Sequence, residues 1–136
     1  MAQYLIAYVF TAVVFLGIDF VWLTRVAKTF YYGRLGDVLL DTPRMGAAVA
    51  FYALYVVGVV IFAVAPGLKA DSLATALLFG ALFGFFTYGT YDMTNYATLR
   101  QWSLTVSLVD MAWGTVLTGF SAVAGVWLTR LVTQGG

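Results

Sequence analysis

"LATALLFGALFGFFTYGTYDMTNY", residues 73–96, carries no charge from Leu73 to Tyr91 and then sets Asp92 and Asn95 inside the same apolar segment. No proline interrupts it. At a helical rise of about 1.5 Å per residue the stretch exceeds the roughly 30 Å of hydrocarbon in a bilayer. A membrane barrel strand needs only about 9–11 residues, and lipid tolerates no unpaired backbone groups, so the stretch reads as a membrane-crossing helix. Its carboxylate needs a reason, because an aspartate at the centre of such a helix costs about 2.5–3.5 kcal/mol on insertion scales.

The rest of the chain has the same character. It is 62% hydrophobic and 10% charged, whereas soluble domains are roughly half apolar and about a quarter charged. Charges, glycines and prolines bound three further apolar runs, at about 4–23, 45–65 and 104–128. The expected fold is all-α: an integral membrane four-helix bundle forming a single transmembrane domain over residues 1–136, with the lipid bilayer as its first partner. The short connections "PGLKADS" and Arg100 to Ser103 make consecutive helices antiparallel neighbours. The first run lacks a basic start and is too long for a signal peptide, so it reads as a retained helix.

The first loop, "RVAKTFYYGRLGDVLLDTPR", spaces Val26, Phe30, Leu35, Val38 and Leu39 roughly helically between charges. It reads as an interfacial helix or, because Gly33 and Gly36 weaken it, as a bent connector. Arg25, Lys28, Arg34, Arg44 and Arg100 fall on the side of the first and third loops, against Lys69 and Arg130 opposite. Positive charge collects on the cytoplasmic face, which predicts both termini in the periplasm of an inner-membrane protein.

Cysteine and histidine are absent. That removes disulfides, iron–sulfur clusters, thiolate zinc and histidine-ligated haem, so no cofactor is expected and no dedicated metal site is assigned; a hard, oxygen-ligated cation stays open. The net charge of +1 and the lack of a Lys/Arg cluster give no reason to expect nucleic acid.

All acidic residues are aspartates. Asp37, Asp41 and Asp71 lie in loops, while Asp19, Asp92 and Asp110 lie inside apolar runs. Counting helical rise, Asp19 sits about 9 Å before Arg25, Asp92 about 12 Å before Arg100, and Asp110 about 10–15 Å beyond that loop. The first, third and fourth helices thus bring their carboxyls to one depth, on the cytoplasmic side of the midplane. "DFVW", "DMTN" and "DMAW" add Trp22, Asn95 and Trp113 at i+3, on the same helical face. Tyr88 and Tyr96 flank Asp92 by four residues, and Ser107 lies near Asp110. Gly80, Gly84, Gly89 and Gly114 accompany this face, as small residues do where membrane helices approach closely. The second helix is polar only at Tyr52 and Tyr55 and reads as packing or lipid-facing material.

At "GIDFVWL", "YGTYDMTNYATLRQW" and "LVDMAWGTVLT" the chain resembles the bacterial membrane proteins grouped as domain of unknown function 2177, over nearly its whole length. The resemblance implies a four-helix inner-membrane protein with polar residues at these positions. It carries no activity with it.

The leading functional reading makes Asp19, Asp92 and Asp110, with Asn95, Trp22, Trp113, Tyr88 and Tyr96, a site that binds or moves a proton, cation or lipophilic amine. Arg25 and Arg100 stand at its rim. One alternative makes the aspartates hydrogen-bonding glue in an accessory or assembly subunit, as a homo-oligomer or within a larger membrane complex. Another makes them acid/base groups or cation ligands acting on a lipid at the cytoplasmic leaflet, with the rim arginines holding a phosphate headgroup.

Overall fold

A computed structural model describes residues 2–27, 30, 33–34 and 44–133. Four helices are long and apolar enough to cross a membrane: α1 (Ala2–Val26), α2 (Met45–Ala70), α3 (Leu73–Thr98) and α4 (Leu104–Thr133). No strand occurs among the described residues. The architecture is the expected four-helix membrane bundle, and the protein is a multi-pass membrane protein. The interfacial helix expected in the first loop falls mostly outside the described residues.

The helices outrun their expected limits for local reasons. Helix α2 continues past Pro66, because the wide turn Val60–Val64 comes immediately before it and the proline sits in the first turn of the next segment, Ala65–Ala70. There a proline has no N–H to lose and no preceding carbonyl to strike. A second wide turn, Leu23–Ala27, closes α1.

The α2–α3 turn is tight and doubly capped. Asp71 takes a left-handed backbone with φ 53°, and its amide bonds the Leu68 carbonyl while that of Ser72 bonds Gly67. These bonds close α2 in a Schellman arrangement. The Ser72 hydroxyl then accepts from the Thr75 amide at 3.1 Å and starts α3. Asp71 also pairs with Arg130 at 3.0 Å, tying the end of α4 to this turn.

Helix α4 is the centre of the bundle. It packs most extensively on α3 and next on α1, whereas α2 docks mainly through Val60–Val64. Residues 45–54 of α2 include no buried side chain, although the Tyr8 hydroxyl of α1 donates to the Ala53 carbonyl at 3.0 Å. Phe15, Val56, Val59, Val64, Leu117 and Val126 fill the interior. Leu5, Val13, Leu54, Phe62, Phe86 and Val116 point outward and stay largely exposed. An apolar exterior around a partly polar interior suits a protein whose solvent is lipid.

Candidate functional site

Each spanning helix contributes a polar side chain to a set linked in pairs: Asp19 with Trp113 and Tyr52, and Asp92 with Asp110. On α1, residues 7, 11, 15 and 19 form the buried face, and it ends in Asp19. The period of four follows from helical geometry, so the aspartate points inward because Phe15 does. The Trp113 indole N–H of α4 donates to Asp19 Oδ1 at 3.1 Å. Trp22 lies one turn beyond Asp19 and stacks on Trp113, with ring centroids 4.1 Å apart and planes 10° from parallel.

Asp92 of α3 is 1% exposed, and neither carboxyl oxygen receives a hydrogen bond from a protein donor. Its carboxyl faces that of Asp110 on α4. Asp110 also lies within electrostatic range of Asp19. The backbone at Asp92 is held separately: the Ser107 hydroxyl reaches its carbonyl at 3.3 Å, and the Trp102 indole donates to Ser107 at 2.9 Å.

The three aspartates are neighbours without forming a ligand cage. Among the described residues no group of three acidic side chains converges closely enough to hold a metal ion.

Tyr88, half-buried, comes within electrostatic reach of both Asp19 and Asp110. It gets there because Gly114 has no side chain; a Cβ at that position would run into the Tyr88 ring. Asn95 is half-buried and lies against Tyr91. Tyr96 is 42% exposed, although it lies one turn from Asp92. Apart from Asn95, every residue from 93 to 99 is exposed, so the end of α3 stands clear of its neighbours. Arg25 and Arg100 are exposed at the ends of α1 and α3.

Helix α2, expected to supply only packing, contributes two tyrosines. Tyr52 approaches the Asp19 carboxyl, and its ring lies 6.0 Å from that of Phe15. Tyr55 is buried and shares its hydroxyl with Thr118 at 2.8 Å and Thr87 at 3.1 Å. The one sequence signal was the spacing of three between these tyrosines in an otherwise apolar run, which places both on one helix face. That pattern alone does not distinguish an inward face from a membrane-interface belt.

The family model described as "Predicted membrane protein (DUF2177)" matches residues 4–127. No curated protein and no solved structure matches the chain.

Proposed function

The chain belongs to the DUF2177 family of predicted membrane proteins, and from that premise we propose that Asp19, Asp92 and Asp110 form an intramembrane carboxyl cluster that binds a proton or a small cation. The observation that carries this reading is the Asp92 carboxyl, buried with no donor on either oxygen and set against Asp110. Two ionised carboxyls are acceptors only and repel each other. A proton or a cation between them would convert that repulsion into a bond, which supports the reading.

The stacked tryptophans weigh against the lipophilic amine. A bulky cation binds on an open aromatic face, but Trp22 and Trp113 cover one face of each other, and the Trp113 N–H occupies one oxygen of Asp19. We place the protein in the inner membrane with both termini periplasmic, on the strength of its Lys/Arg distribution. The cluster would then open toward the cytoplasm.

Infrared titration of the carboxyl bands tests the reading. The three groups are expected to titrate as a coupled set, with Asp110→Asn shifting the bands of the remaining two. Three independent titrations, unchanged by Asp110→Asn and by added monovalent cations, would show that the carboxyls share no ligand.

A further inference from the structure

Away from the carboxyls, the outer face of α2 and α3 carries an apolar groove of about 410 Å³, lined by Ile61, Phe62, Pro66, Phe79, Leu82 and Phe83. Its wall is a row of rings: Phe83 stacks with Phe62 at 5.6 Å and with Tyr55 at 5.3 Å. Gly58 of α2 makes room for this row, since a Cβ there would stand 2.8 Å from the tip of the Phe83 ring. The Tyr55 hydroxyl is bonded in turn to Thr118 and Thr87, so the wall is fixed before anything enters. Ile61 and Phe62 belong to the wide turn Val60–Val64, and Pro66 follows it directly. Three of the lining residues thus come from the stretch where α2 departs from a regular α-helix.

Two observations identify the occupant. The first is the chemistry of the lining. None of the six residues is a glycine, alanine, serine or threonine, the residues through which membrane helices bring their backbones together. Phenylalanine rings would hold a neighbouring helix off. A flexible hydrocarbon chain instead conforms to the spaces between ring edges and supplies the dispersion contacts that an empty groove forfeits. Water has no polar partners there. The second observation is Lys69. It follows Pro66 by three residues in the helical segment Ala65–Ala70, which puts both on one helix face and sets the ammonium above the groove. Lys69 is exposed, and Asp71, the acid nearest to it in sequence, is paired with Arg130.

The depths agree with this assignment. Pro66 and Ile61 precede the end of α2 at Ala70 by four and nine residues, roughly 6 and 14 Å of helix. Half of the hydrocarbon core is about 15 Å thick. A lipid whose phosphate meets Lys69 at the membrane surface therefore has its acyl chain at the level of the groove.

We propose that the groove is a lipid-binding site that holds one acyl chain of a glycerophospholipid, from the leaflet on the side of the termini, with the lipid phosphate on Lys69. An anionic headgroup is favoured, because a zwitterionic one brings its own cation beside the ammonium. The site is separate from the carboxyl cluster and does not depend on how that cluster is read.

For the test, the full chain is stripped of lipid by detergent exchange and titrated with phosphatidylglycerol or phosphatidylcholine, and bound lipid is counted by native mass spectrometry. Wild type is expected to take up one phosphatidylglycerol ahead of any other, about fivefold more tightly than phosphatidylcholine, the factor that one lysine contributes near an anionic headgroup. Lys69→Gln is expected to bring the two lipids to equal affinity. Leu82→Trp fills the groove from an exposed position on α3 and is expected to lose the one-lipid adduct. Ile61→Trp, from the α2 side, decides in its place should that variant fail to fold. Equal affinity for the two lipids in wild type, an unchanged preference in Lys69→Gln, or a one-lipid adduct that survives filling of the groove would each overturn the proposal. So would a wild-type dimer that Leu82→Trp separates, which would assign the groove to a second copy of the chain.

Discussion

Asp92 and Asp19 are both buried carboxyls, yet their surroundings differ. Asp19 has a donor, the Trp113 indole, and a nearby tyrosine on α2. Asp92 has neither oxygen hydrogen-bonded to a donor and instead faces another acid. Asp19 is therefore anchored through one oxygen, its Oδ2 being buried without a partner, whereas Asp92 has no donor on either oxygen. The bond from Trp113 to Asp19 joins α4 to α1 and is open to a double-mutant cycle with Trp113→Phe and Asp19→Ala. A coupling energy of about 0.5–2 kcal/mol is expected, since interhelical hydrogen bonds in membranes are modest and those to charged groups are stronger. It would be measured from unfolding in mixed micelles. Strictly additive costs would mean that this bond does not help to join the two helices.

Among the elements, α3 and α4 pack most extensively. A Cβ on Gly84 would run into the Gly114 carbonyl, and one on Gly114 into the Tyr88 ring. Backbone cannot move aside as the tip of a flexible side chain can. Gly84→Leu is accordingly expected to destabilise the bundle by at least about 3 kcal/mol, beyond the range of ordinary overpacking that side chains can relieve. Leu82→Ala, two residues away on a 41% exposed position, is expected to cost less than about 1 kcal/mol, because its side chain faces lipid in both folded and unfolded membrane states. Thermal melts of the purified proteins compare them directly. Equal melting points would show that α3 and α4 do not depend on this contact. The same close packing brings Tyr88 to the aspartates, so the small residues that stabilise the helix pair also shape the candidate site.

For the whole molecule, the asymmetry of charge predicts a sidedness that the four-helix architecture leaves open. The ends of α1 and α3 carry Arg25 and Arg100, while at the opposite end Arg130 is paired with Asp71. A reporter active only in the cytoplasm, fused after Gly136, is expected to be silent, and one active only in the periplasm is expected to work. A strong cytoplasmic signal from an intact fusion would reverse the orientation and place the carboxyl cluster nearer the periplasm.

Long apolar runs decided the helices, because a chain with 10% charged residues has no way to cover itself with polar surface and each run must satisfy its own backbone. Because rise per residue is constant along a helix, the spacing of Asp19, Asp92 and Asp110 from the loop charges predicts one common depth for all three. Periodicity along a single helix does not say which face meets which neighbour. Tyr96 has the same phase as Asp92, yet it stands outside because α3 extends past its partners. Tyr55 turns inward because α2 docks on the bundle from there onward, and Tyr52, one turn earlier, is half-buried against Phe15. The hydroxyls of Thr11, Ser121 and Thr129 belong to helices far apart in the chain. Thr11 comes against α4 because Gly125 lets α1 and α4 close on each other, and contact between distant segments is a property of the packed bundle.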